Sequence, residues 1–218
     1  ARPLHLFLAS LTYSLGAGIA RYLGRPFSVV AFGLGLLCLL AIQTAANWLM
    51  EYFRLHPTPL AKNEIPRARE VIRRGLFWFA IAWLTVSGAS LVPLHLIKML
   101  PLQAGILMGL TIIFLVGYAI PPVRLAERGY GELVQAVVLG TLFPALSFLL
   151  QFGGFHRLLA FVTFPITLLA LAYLLVNEFP TFATDQKYGR FTLLTRLTWQ
   201  IAIPIHHVLI LFSFFFFA

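Results

Sequence analysis

The chain has 218 residues, of which 60% are hydrophobic and 11% charged, with a mean hydropathy of +0.90. A water-soluble domain of this length has no use for so much apolar surface, so the composition points to a polytopic membrane protein. Sixteen basic against seven acidic residues leave a net charge of +9; in such a chain this reads as basic loops beside anionic lipid heads, or as an anionic substrate, and not as nucleic-acid binding.

A spanning helix needs about 20 apolar residues. Seven runs meet this: Leu4–Tyr22, Phe27–Trp48, Gly75–Pro93, Leu100–Ile120, Leu133–Phe152, Leu158–Val176 and Trp199–Phe217. The first has no small-residue cleavage site after it and is read as a spanning helix, not a signal peptide. The single cysteine, Cys38, lies within the second run and is expected to be a packed thiol. Pro144, Pro165 and Pro204 fall inside the last three runs, where membrane helices tolerate kinks around a cavity. His206 and His207 are adjacent in the seventh run and point to different faces, which suits hydrogen bonding between helices better than a shared metal. The run ends in a phenylalanine-rich tail with no closing polar segment, so the sequence is expected to be incomplete at this end.

The charges alternate between connections. Twelve of the sixteen basic residues fall at the N-terminus and in the second, fourth and sixth connections, leaving Arg21, Arg25, Lys98 and Arg157 to the other face. Basic loops stay inside, which places the N-terminus and the even connections in the cytoplasm of an inner or plasma membrane. All seven acids lie on that same face: Glu51, Glu64, Glu70, Glu127, Glu132, Glu178 and Asp185. Topology does not demand this of acids, so a polar site is expected there, with ordinary loop solvation as the plainer alternative.

Three stretches carry the chemistry. The second run closes on Asn47-Trp48-Leu49-Met50-Glu51, and the four-residue spacing puts Asn47 and Glu51 on one helix face, with Gln43 and Thr44 near it a turn earlier. Between the fourth and fifth runs stands Tyr118-Ala119-Ile120-Pro121-Pro122-Val123-Arg124-Leu125-Ala126-Glu127-Arg128-Gly129-Tyr130-Gly131-Glu132-Leu133. Its proline pair stops a helix, its glycines permit a tight turn, and Arg124 and Arg128 are in reach of phosphate or lipid heads. After the sixth run comes Asn177-Glu178-Phe179-Pro180-Thr181-Phe182-Ala183-Thr184-Asp185-Gln186-Lys187-Tyr188-Gly189-Arg190-Phe191-Thr192-Leu193, a polar island in an apolar chain. The second connection, with Lys62, Arg67 and Arg69, is the most basic segment and reads either as a phosphate-binding lid or as a lipid-facing surface helix.

These stretches resemble the motifs of the UbiA superfamily of membrane prenyltransferases. The last is similar to the family's Asn-Glu-Phe-Pro-Asp-x-x-x-Asp-x-x-x-Gly-Lys-x-Thr-Leu, and the proline loop to Tyr-x-x-Pro-Pro-x-Arg-Leu-x-x-Arg-Gly-x-Gly-Glu-Leu of the menaquinone-pathway branch, which prenylates 1,4-dihydroxy-2-naphthoate. The resemblance implies a single transmembrane prenyltransferase-like domain over 1–218. Its fold would be an all-α, UbiA-like bundle around a central cavity that opens laterally to lipid, with seven of the family's nine helices present and the C-terminal ones lacking. It implies Mg²⁺ held by Asn47, Glu51, Asn177 and Asp185, and a diphosphate held by Arg124, Lys187, Arg190, Lys62 and Arg67. Tyr118 would face the reacting groups. The metal would neutralise the leaving diphosphate while an aromatic acceptor captures the allylic cation. This chain departs from the pattern at Leu55 and Thr181, where the family has acids, and Glu51 stands for an aspartate. Two readings follow. One is Mg²⁺-dependent transfer of a prenyl chain from prenyl diphosphate to an aromatic acceptor on a quinone-type pathway. The other is a non-catalytic relative that holds an isoprenoid lipid, a quinone or a chlorophyll tail as a subunit of a larger membrane assembly.

Overall fold

The computed structural model describes residues 3–54 and 66–217. Leu55, Lys62 and Glu64, and the side chains of Arg67 and Arg69, lie outside the described residues.

The protein is all-α; among the described residues there is no sheet, only one isolated bridge between Arg128 and Phe191. The helices are α1 (Pro3–Tyr22), α2 (Val29–Tyr52), α3 (Pro66–Leu96), α4 (Leu102–Ala119), α5 (Gly131–Val137), α6 (Phe143–Phe152), α7 (Arg157–Asn177), α8 (Phe182–Lys187) and α9 (Leu193–Phe217). A π-helical turn, Val138–Leu142, joins α5 and α6 into one rod. Six stretches are long and apolar enough to cross a membrane: α2, Glu70–Leu96 of α3, α4, the rod Gly131–Phe152, Arg157–Lys187 and α9. This is a multi-span helical membrane protein. The helix expected of the first run forms as α1, but it is not among the six. His5, Ser10, Thr12, Tyr13 and Ser14 dilute its apolar content.

The rod is the hub. Of its most apolar stretch 83% is buried inside the protein, against 11% for α9, which leans on α7 and shows most of its surface outward. In lipid, helices gain little from hiding apolar area from one another, so close backbone approach and packing hold them. Gly16 on α1 lies so near the rod that a Cβ there would stand 2.0 Å from the Pro144 carbonyl oxygen. Gly140 serves α7 in the same way: its Cβ would stand 2.4 Å from Thr167 Cα. On the opposite side α3 lies along α2, with the Trp48 and Phe79 rings stacked at 6.0 Å.

The π turn has a local cause. Pro144 has no N–H to give to Gly140 and its ring crowds that carbonyl, which disfavours an ordinary helical turn. The backbone widens instead, and Phe143 N–H reaches back to the Val138 carbonyl.

The bundle has two ends. At one, the 22–29, 96–102 and 152–157 junctions meet. Ser28 N–H donates to Gln151 Oε1 at 2.8 Å, Gln151 Nε2 donates to Ser28 O at 3.0 Å, and Ser28 Oγ lies 3.5 Å from Met99 Sδ. At the other end, the close of α2, the loop after α4 and the segment after α7 come together. The second end carries the three motif stretches.

Candidate functional site

The loop after α4 is built to be fixed. The Pro121–Pro122 pair ends the helix, and Arg124 takes a left-handed conformation with φ of 44°. That turn aims its guanidinium back across the bundle, where it donates to the Phe53 carbonyl at the close of α2 and pairs with Glu127. Arg128 donates to Pro122 O at 2.7 Å and its backbone bridges Phe191. Two of the stretches that resemble the family motifs are therefore joined directly. A second tie runs from Leu193 N–H to Glu132 Oε2 at 3.1 Å.

The segment after α7 folds as a 3₁₀ turn, Phe179–Thr181, followed by α8. Asp185 is buried, and its carboxylate accepts from Thr181 Oγ1 at 2.9 Å while Arg190 Nη1 lies 3.6 Å from its other oxygen. The Arg190 backbone N–H also donates to the Asp185 carbonyl at 2.8 Å. Arg190 thus serves Asp185 through both backbone and side chain. Thr181, standing where the resemblance implies an acid, supplies a hydroxyl donor in its place.

A small hollow of about 10 Å³ lies where these pieces meet, bordered by His5, Tyr118, Glu132, Gln135, Glu178 and Arg190. Gln135 continues inward as a chain of amides. Gln43 Nε2 donates to Gln135 Oε1 at 3.3 Å and to Asn47 Oδ1 at 3.5 Å, and all three residues are buried. Gln43 Oε1, Asn47 Nδ2 and Gln135 Nε2 are buried without a hydrogen-bond partner. Buried amides within a span are costly unless they meet a partner, so this chain marks the polar interior of the protein.

The residues expected from the sequence do not all converge. Arg190 and Tyr118 border the hollow, and Tyr118 is buried with its hydroxyl on Met50 Sδ at 3.2 Å. Asn47 joins it through the amides, and Asp185 through Arg190. Glu51 is half-buried and paired with Arg54 at 3.2 Å. Asn177 is exposed and donates to Tyr173 O of its own helix at 2.8 Å. Lys187 is exposed, its Nζ 5.8 Å from the Tyr188 ring centre. Arg124 is spent on the Phe53 carbonyl and Glu127. His207 Nδ1 meets Ile203 O of its own helix at 2.8 Å, so that contact stays within α9.

Sequence reading missed His5, Glu132 and Gln135 as border residues. The available signal was polarity inside apolar helices: Glu132 and Gln135 are three apart on α5 and share a face.

Among the described residues no group of three or more His, Cys, Asp or Glu is placed to hold a metal ion. The acids nearest the motifs are each engaged by the protein: Glu51 by Arg54, Asp185 by Thr181 and Arg190, Glu127 by Arg124, Glu132 by Leu193 N–H. Mg²⁺ takes carboxylate and phosphate oxygens in near-octahedral geometry. The described residues do not fit a two-Mg²⁺ cluster. No protein-family model matches the chain, and no curated protein sequence matches it.

Proposed function

We propose that the protein is a UbiA-like integral membrane protein that handles isoprenoid compounds, binding their polar head at the motif-bearing end of the bundle without transferring the prenyl chain. The observation that carries this reading is the engagement of Asp185. Thr181 and Arg190 occupy the carboxylate that a metal would need. The convergence of the proline loop with the Asn177–Leu193 segment supports a UbiA-like arrangement. Electrostatics supports a head that is not highly charged. A bare diphosphate approaching Glu132 and Glu178 would meet two acids against one Arg190, whereas a quinone head brings no charge to repel. The isoprenoid tail would lie among the apolar helices. The basic connections support a cytoplasmic position for this end, and other membrane subunits are the natural partners of a lipid-holding relative.

One observation favours Mg²⁺-dependent prenyl transfer to an aromatic acceptor as a second reading: Asn47 and Asp185, two of the residues that the resemblance assigns to the metal, are both buried at this end of the bundle. The test is binding of a long-chain prenyl diphosphate and of the matching quinone to the purified protein, each with Mg²⁺ and with EDTA. Quinone binding indifferent to Mg²⁺, with weak diphosphate binding in both conditions, is expected. Diphosphate binding that appears only with Mg²⁺ would replace the first reading with the second.

A further inference from the structure

We propose that the end of the bundle opposite the candidate site carries a slot for an anionic phospholipid, with an acyl chain between α4, α6 and α7 and the phosphate at Arg157. A cavity of about 390 Å³ opens there, walled by Leu107, Leu142, Ala145, Leu159 and Ala160. At about 30 Å³ for a water-sized group, this space takes about a dozen methylenes. Its few polar walls are already satisfied: Thr141 Oγ1 and Thr167 Oγ1 bond each other at 2.7 Å, and Thr163 Oγ1 reaches Ala160 O at 3.5 Å. The interior therefore suits hydrocarbon and offers nothing to a polar head.

The depth lies within one leaflet. On α7 the cavity is lined from Arg157 to Thr163. Six residues at 1.5 Å each span about 9 Å, inside the half of a hydrocarbon core about 30 Å thick. The mouth is basic. His156 and Arg157 form its rim, and Arg25 extends it, its guanidinium 4.8 Å from the centre of the Phe152 ring, which lies 5.9 Å from the His156 ring. Arg157 is exposed, and among the described residues every acid lies toward the other end, so none of their carboxylates competes for this rim. Two arginines over an apolar slot within one leaflet are complementary to an acidic phospholipid and not to a zwitterionic one, whose choline would meet like charge.

The test uses the full chain, purified in detergent and offered phosphatidylglycerol, phosphatidylcholine of the same acyl chains, or glycerol phosphate. Retained ligand is read by native mass spectrometry. Phosphatidylglycerol should be retained over phosphatidylcholine, and glycerol phosphate should not bind. Arg157→Gln should lower phosphatidylglycerol retention about fivefold, the share of one basic residue near an anionic lipid. Ala160→Phe, which fills the slot from an exposed wall position, should abolish the preference. Equal retention of the two lipids, or an Arg157→Gln variant that retains phosphatidylglycerol like the parent, would overturn the proposal. Glycerol phosphate that displaces the lipid would also overturn it, because the site would then be a head-group site without a slot. Arg157 is at the surface and its replacement disturbs no packing, so that arm decides the question even if Ala160→Phe fails to fold.

Discussion

Placing a carboxylate back at position 181 tests the site most directly. In the parent, the Thr181 hydroxyl donates to Asp185 at 2.9 Å. Thr181→Asp replaces that donor with a second anion. Two carboxylates about 4 Å apart repel by about 4 kcal/mol at an effective dielectric of about 20. Position 181 is exposed, and Arg190 stands beside the pair, so about half of this is expected to survive screening. Loss of a hydrogen bond to a charged group adds about 1.5 kcal/mol. The variant should therefore be about 3 kcal/mol less stable than the parent in EDTA. For a chain of this size that is a thermal midpoint lower by roughly 6–12 °C. The paired acids would then be a better cation site than the parent has. Mg²⁺ at about 100 times its dissociation constant should return about 2.7 kcal/mol, nearly cancelling the loss. The assay is thermal unfolding in detergent, for parent and variant, with EDTA and with Mg²⁺. A variant as stable as the parent in EDTA would mean that the two side chains are not neighbours. Equal stabilisation of parent and variant by Mg²⁺ would mean that Asp185 already holds a cation, and the lipid-holding reading would fall.

Two further substitutions probe the frame. Gly140→Ala places a methyl 2.4 Å from the Thr167 backbone, and overpacking of this kind should lower stability by about 1–3 kcal/mol; an unchanged midpoint would show that the rod and α7 are farther apart. Thr198 interrupts α9 with φ 63° and ψ 157°, a conformation that favours glycine, so Thr198→Gly should raise stability by about 1 kcal/mol once the greater chain entropy of glycine is subtracted. A lower midpoint would mean that Thr198 is not held in that conformation.

The helices were legible because bilayer thickness disciplines their length. The run Leu100–Ile120 became Leu102–Ala119, and Leu158–Val176 became Arg157–Asn177. Apolar content alone could not reveal where the backbone departs from a regular helix. α9 begins at Leu193, six residues before the predicted run, because its first turn lies across a break at Thr198. The second connection reads as a lid or as a surface helix, and α3 begins within it at Pro66. At the candidate site, the motif stretches could be assigned to one end from the alternation of charge. Which side chains point inward was not legible, since it depends on the exact winding of short turns. Asn177 and Glu178 are adjacent, but the first is turned outward and the second is buried at the hollow. The same holds for Lys187 and Arg190, separated by the positive-φ residue Gly189.

The widened turn at Val138–Leu142 acts as a phase adjuster between the two ends of the molecule. One residue of α-helix is worth roughly 100° of rotation. Wound as an ordinary helix, the same sequence would swing everything from Phe143 to Phe152 around the rod axis by about that much. Gln135 could then stay on Gln43 only if Gln151 let go of Ser28, and the reverse. The spacing between the polar interior and the far clasp is thus encoded in residue number as much as in residue type. Conservative exchanges along the rod leave that phase intact, whereas adding or removing a single residue puts the two ends out of step.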